Sequence, residues 1–241
     1  MEPTERISSG IAGLDKVIEG GFLRGSLIII SGGVGAGKTT FALQFVYYGC
    51  SVLGESALYV LLSEDSNSLR VSASRFGWNI EELEKSGVFY IFEPEEVERE
   101  NAGRIINQII NRAISLEVKR IVIDSYSPFQ LVLDSPTSRL LVHLLYKFSK
   151  KSRTNLMLIM EGLNPLTMSE SYVADGLIHL EAEYSSNTKR LMKILKMRGT
   201  RVEKSVLRFA IGDNGIEVIS NPGVRGVKRE ISYIENVKEV M

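Results

Sequence analysis

The stretch Ser31-Gly32-Gly33-Val34-Gly35-Ala36-Gly37-Lys38-Thr39-Thr40 has the residue types and spacing to grip phosphate. From Gly32 to Thr39 it fits G-x-x-x-x-G-K-[ST]. Its glycines let the backbone curl until successive N–H groups face inward at the start of a helix, where the helix dipole also favours an anion. Gly33, Val34, Gly35, Ala36, Gly37, Lys38, Thr39 and Thr40 are the candidate phosphate contacts. Lys38 would reach β- and γ-phosphates, and the Thr39 hydroxyl would coordinate Mg²⁺. The apolar run Leu27–Ile30 before the motif and Phe41–Val46 after it read as strand, glycine turn and helix. A chance glycine-rich turn would lack that context.

Three further acids stand at the ends of apolar runs. Asp124 follows Ile121-Val122-Ile123 and is placed to hold Mg²⁺ through water. Glu64 follows the run Ala57–Leu62. It is either a base that orients and deprotonates an attacking water, or a helix-start acid stabilised by the dipole, with Asp65 as a cap. Glu161 follows Leu156–Met160. It is either a sensor of the γ-phosphate or a surface acid. Late in the chain, Lys196-Met197-Arg198-Gly199-Thr200 puts two cations at i and i+2, on one face of a strand. Taken by itself the pair reads as a solvated edge strand; the other reading is a phosphate-seeking tip.

These groups need a scaffold. Strands are expected at 26–31, 57–62, 87–92, 118–124 and 156–161, alternating with helices at about 38–49, 67–76, 79–85, 102–116 and 137–151. Leu14, Val17 and Ile18 share a face of a short lead-in helix closed by Gly20-Gly21. The last third changes to strands at 172–181, 189–197, 202–210 and 216–219, separated by turn signals. The reading is one α/β domain over 1–241. It has a lead-in (1–25), a nucleotide-binding core (26–161), a β-meander (162–219) that extends a mostly parallel sheet, and a C-terminal tail (220–241). Ligands bind at the C-terminal ends of strands in such sheets, where Asp124, Glu64 and Glu161 stand.

Composition narrows the function. The chain has 241 residues, 44% of them hydrophobic, enough for a core. Lys+Arg and Asp+Glu both number 29, which excludes a globally basic nucleic-acid surface. A single cysteine, Cys50, permits no internal disulfide and fits the cytoplasm. His143 and His179 are far apart in sequence, so no zinc site is expected. No apolar run is long enough to span a bilayer, and no N-terminal leader is read.

Together the pieces resemble the KaiC-like branch of the RecA superfamily of ATPases, from about Arg6 to Ile219. The resemblance rests on Gly10-Ile11-Ala12-Gly13-Leu14-Asp15, on Phe76-Gly77-Trp78, on Ile123-Asp124-Ser125 and on Lys196-Met197-Arg198-Gly199-Thr200. It implies a three-layer α/β/α fold, ATP and Mg²⁺ as ligands, and a homo-oligomeric ring, hexameric by preference, with ATP between subunits. By the same resemblance Lys196 and Arg198 act on the neighbour's nucleotide, flanked by Met197, while Thr200 and Asp213 touch its ribose or base. Three features depart from the family. Ser63 replaces the first of two adjacent glutamates, leaving Glu64. Arg75 precedes Phe76 where a small residue is usual. Residues 162–173 carry no Lys or Arg, which disfavours the single-stranded DNA groove of recombinases. The alternatives are an assembly switch that barely hydrolyses, a DNA-binding paralogue using Arg225, Lys228, Arg229 and Tyr233, and, last, an autokinase. No protein partner is legible.

Overall fold

Strands whose residues are apolar without interruption bury both faces, so helices must cover both sides of the sheet. The computed structural model describes residues 5–162, 165–184, 188–202 and 204–219. It opens with a small antiparallel pair, β1 (Arg6–Ile7) and β2 (Phe22–Leu23). The main order is then β3 (Leu27–Gly32), α1 (Lys38–Leu53), β4 (Ala57–Leu61), α2 (Ser66–Ser74), α3 (Ile80–Lys85), β5 (Phe89–Phe92), α4 (Ala102–Ser115) and β6 (Arg120–Asp124). It continues with α5 (Ser127–Val132), α6 (Ser135–Ser152), β7 (Asn155–Glu161), β8 (Gly176–Glu183), β9 (Lys189–Met197), β10 (Val206–Gly212) and β11 (Gly215–Val218).

All strands from β3 onward share one sheet, in the order β11-β10-β9-β8-β3-β7-β6-β4-β5. The pairs from β8 across to β5 are parallel, and β9, β10 and β11 return antiparallel on the β8 side. β8, read from sequence as part of the meander, therefore belongs to the parallel set. Its start also moves: Tyr172 lies in a 3-10 turn, Ser169–Tyr172, that precedes the strand. Residues 13–20 are successive turns rather than the expected helix, although Leu14 and Ile18 are fully buried. α5 was not anticipated, and α1 runs past Gly49, so Cys50 lies inside the helix. Burial pushes the Cys50 thiol up to about 12.

Alternation along the strands sorts side chains between the two helical layers. Ile28, Ile30, Tyr59 and Val122 pack with α1 and the lead-in, while Leu27, Ile29, Leu58 and Val60 pack with α4, α5 and α6. On β6 the same alternation aims Arg120, Val122 and Asp124 at the α1 side. Arg120 is fully buried there. Its Nε donates to Glu55 at 2.7 Å, and one Nη donates to the carbonyls of Phe45 and Ser8 at 2.7 and 3.0 Å. Burial pulls the Arg120 pKa down and Glu55 opposes it. The pair ties the C-terminal end of α1, the lead-in and the sheet together at the end of the sheet away from the phosphate loop.

Removing one partner of a buried pair strands the other charge. Glu55→Ala is expected to lower the unfolding free energy by about 3–5 kcal/mol, read by chemical denaturation. A loss below about 1 kcal/mol would show that Arg120 finds compensation elsewhere.

Candidate nucleotide-binding site

The glycine loop leaves β3 at the centre of the sheet and enters α1 at Lys38. Gly35 and Gly37 adopt φ of 70° and 99°, which L-residues resist. A Cβ on Gly37 would stand 2.8 Å from Ile211 Cδ1. The loop is therefore held in a curled form by backbone choice and by the β10 strand leaning on it. The Lys38 ammonium lies on the loop's own carbonyls, donating to Gly32 at 3.0 Å and Gly33 at 2.9 Å. Burial lowers its pKa, while the charges of Glu161 and Asp124 hold it up. Tyr184 on the β8–β9 connection donates its hydroxyl to the Val34 carbonyl at 3.0 Å, clasping the loop's exposed tip.

Asp124 ends β6 on the α1 face and is buried. Tyr59, fully buried on β4, donates its hydroxyl to Asp124 Oδ2 at 2.7 Å. Burial raises the Asp124 pKa, and hydrogen bonds from Tyr59 and from the Thr39 hydroxyl pull it back down. A carboxylate and a hydroxyl thus converge in a poorly solvated spot, a donor set of oxygens that suits Mg²⁺. Glu161 ends β7 opposite Gly32, and its N–H donates to Ser127 Oγ at 3.2 Å. Glu64 stands exposed past the end of β4, close enough for its charge to raise the pKa of both Asp124 and Tyr59. Asp65 caps α2, its side chain accepting from the Ser68 N–H at 2.8 Å. Ser63 and Ser125 pair through their hydroxyls at 3.1 Å, bridging the ends of β4 and β6.

The sequence model of a family described as "ATPase: KaiC" matches residues 7–223. The chain belongs to the KaiC ATPase family. A UPF0273 protein of Thermotoga maritima is 29% identical over 92% of this chain and 99% of its own length. The circadian clock oscillator protein KaiC of Thermostichus vulcanus is 31% identical over 88% of this chain, which spans only 42% of that protein. The solved structure of a KaiC-like protein from Pyrococcus horikoshii superposes with a TM-score of 0.80 at 34% identity, covering 90% of this chain and all of that one. The fold is accordingly that of RecA-superfamily P-loop ATPases.

In this KaiC-type chain a cleft of about 360 Å³ opens beside the loop, lined by Gly35, Lys38, Thr39, Arg75, Phe76, Arg190 and Ile211 among others. Arg75 stands in that lining, so the departure noted in the sequence falls on the cleft wall. Arg190 and Ile211 were not singled out by sequence reasoning. The available signal was alternation: Arg190 shares a face with the buried Met192 and Ile194. An arginine on an inward face needs a partner, and its Nε is buried without a hydrogen bond. Asp213 lies in the β10–β11 turn, which meets the sheet at the phosphate-loop end. Lys196, Met197, Arg198 and Thr200 lie at the other end, where Met197 pairs with Gly176. Thr200 accepts from Arg6 at 3.0 Å, so Thr200 and Asp213 are not neighbours in one subunit. The basic residues 225–233 lie outside the described residues, and no helix among those described is long and apolar enough to cross a membrane.

Asp124 holds a proton more tightly in the fold than in the unfolded chain, so its ionisation at neutral pH costs stability. The cost vanishes below the ordinary carboxylate range, about pH 4, where both states are protonated. Nucleotide-free Asp124→Asn is expected to melt about 2–4 °C above the parent at neutral pH, Tyr59 still donating to the amide oxygen. The difference should close as pH falls toward that range. A melting point below the parent at neutral pH would count against an uncompensated buried charge.

Proposed function

We propose that the chain is a single ATPase domain that hydrolyses ATP with Mg²⁺ and works as a homo-oligomeric ring, hexameric by preference, with each nucleotide shared between two subunits. The observation that carries this reading is the separation of its two cationic sets. Lys196 pairs with Leu177, which pairs with Ile29, three residues below Gly32. That is about 10 Å along the strands, with two further strands of lateral offset, and the Lys196 side chain runs away from its own loop. Cations so placed serve a phosphate on another copy.

Within one subunit the loop N–H groups and Lys38 would bind the phosphates, Lys38 leaving the Gly32 and Gly33 carbonyls to do so. Thr39 and Asp124 would hold Mg²⁺, which when bound neutralises charge on the β- and γ-phosphates. Glu64 would orient the attacking water and take its proton, its exposure allowing both. Glu161 faces Lys38 and would feel a γ-phosphate through it. Arg190, Arg75 and Phe76 would bound the nucleotide on the outer side. The neighbour's Lys196 and Arg198 would offset charge developing in the transition state, a role worth about 10³–10⁵ in rate. Such a machine fits the cytoplasm, where ATP is available. Binding of single-stranded DNA is not favoured, since residues 162–173 offer no cation.

A second reading, an assembly switch with little turnover, is supported by Ser63, which hydrogen-bonds Ser125 where a second carboxylate would stand. One experiment separates the two: the mass of the assembly without nucleotide and with ATP·Mg²⁺, recorded with phosphate release. The ATPase reading expects an ATP-stabilised ring with steady release. It expects Lys38→Ala to lose tight ATP binding, and Glu64→Ala to bind ATP but release phosphate at least about 10²-fold more slowly. A ring with negligible release selects the switch, and a chain that stays monomeric with ATP refutes sharing.

A further inference from the structure

Lys196 and Arg198 do not float in solvent. The Lys196 ammonium donates to the carbonyls of Ser171 at 2.9 Å and Tyr172 at 3.2 Å. The Arg198 guanidinium donates to Tyr172 at 2.9 Å and Val173 at 3.3 Å. Two adjacent cations therefore rest on three consecutive backbone oxygens, and the lines of their side chains are set by wherever that backbone sits. A β-bulge helps: the register shifts between Leu177 and Ile178, so that Ile178 faces Ile194 but Leu177 faces Lys196, skipping Leu195. The extra residue turns Lys196 away from the α1 face used by Ile194 and toward the carbonyls.

Two of the carbonyls belong to a 3-10 turn, Ser169–Tyr172, and the third to its C-cap, Val173; the turn is too short to hold its own shape. What fixes it is Glu170, a carboxylate 4% exposed. Glu170 Oε1 accepts from Ser138 Oγ on α6 at 2.5 Å and from Gln130 Nε2 on α5 at 3.3 Å, and Oε2 accepts from Ser169 Oγ at 3.2 Å. Ser171 Oγ adds a bond back to the Pro165 carbonyl at 2.6 Å. A buried carboxylate is costly unless its lone pairs are used. Here they bolt the turn to two helices of the sheet's other layer.

We infer that Glu170 is a positioning residue for the shared active site: by anchoring the carbonyls of Ser171, Tyr172 and Val173, it sets where Lys196 and Arg198 meet the phosphate bound by the neighbouring subunit. This rests on the shared-site reading. Burial and the neighbouring Arg198 lower the Lys196 pKa, with Asp175 opposing, as expected of a cation held close by its surroundings.

The test uses subunit mixing, because a residue that acts on the neighbour's site can be complemented. Glu170→Ala is expected to lower kcat roughly 10²-fold, the cost of misplacing a catalytic group by about 1 Å, with ATP affinity within about 2-fold of the parent, because its own phosphate loop is untouched. Glu170→Gln, which keeps the shape and an acceptor, is expected to recover most of the loss. Mixing Glu170→Ala subunits with Lys38→Ala subunits is expected to raise phosphate release above either variant alone, since the latter donate well-placed cations to the former's intact sites. If Glu170→Ala fails to fold or assemble, Ser138→Ala, which removes the shortest bond to the carboxylate, carries the same test. The control mixture is Lys38→Ala with Arg198→Ala. Recovery in the control but not in the Glu170 mixture overturns the inference alone. No recovery in either overturns the shared-site reading and this inference with it. A kcat unchanged in Glu170→Ala also overturns the inference.

Discussion

The parallel pairing of β3 with both β7 and β8 is the constraint on which the rest of the molecule depends. It puts the phosphate loop at the middle of the sheet and not at its edge. It sets Glu161 opposite Gly32 and His179 opposite Ser31. Because β8 is parallel, the antiparallel return of β9 carries Lys196 and Arg198 to the far end of the sheet. One hydrogen-bonding choice thus decides which charges share an end and which are kept apart. A β8 paired antiparallel to β3 would have brought those cations back to the subunit's own loop.

Burial makes the charges near the loop consequential. Burial disfavours the charged forms of Asp124, Lys38 and Tyr59, raising the pKa of the first and last and lowering that of Lys38, because the same low-dielectric layer under α1 surrounds them. The layer extends to His179, whose Nδ1 meets Ser31 Oγ at 2.9 Å and whose Nε2 lies 3.5 Å from Glu181. Burial lowers its pKa, which keeps the ring neutral beneath the phosphate loop and avoids adding a positive charge beside Lys38. Lys193 instead takes Glu181 at 2.6 Å.

Groups whose placement follows from local chain order were legible in the sequence. The phosphate loop is contiguous, and Asp124, Glu64 and Glu161 are strand-end residues whose placement follows from apolar runs of strand length. What the sequence did not reveal depends on register between distant segments. Arg190 enters the cleft only because β9 lies beside β8, and Tyr184 reaches Val34 only because β8 ends beside the loop. The bulge at Leu195 cannot be read from Lys189–Met197, where strict alternation would put Lys196 on the face of Met192 and Ile194. The lead-in failed for a different reason: Leu14 and Ile18 have helical spacing, but positive φ at Gly13 on one side and at Glu19 and Gly20 on the other confines the segment to turns. Nothing in the sequence marks Glu170; its burial against α5 and α6 separates it from acids such as Glu95, Glu96 and Glu98, which are exposed.

The separation of the two cationic sets also limits how copies can associate. A subunit that offers a phosphate loop at one end of its sheet and Lys196 and Arg198 at the other presents two different surfaces. Two copies facing each other through the same patch would pair loop with loop, leaving both sets of cations unused. Only a head-to-tail contact joins one subunit's loop to another's cations, and repeating such a contact either closes a ring or runs on as a filament. Under the proposed sharing, closure into a ring would leave no unshared site at either end. If ATP is shared as proposed, the anchored turn at Ser169–Tyr172 would be the part of each subunit held at the neighbour's phosphate, and a structural carboxylate on α6's side of the sheet would then bear on a reaction on another chain.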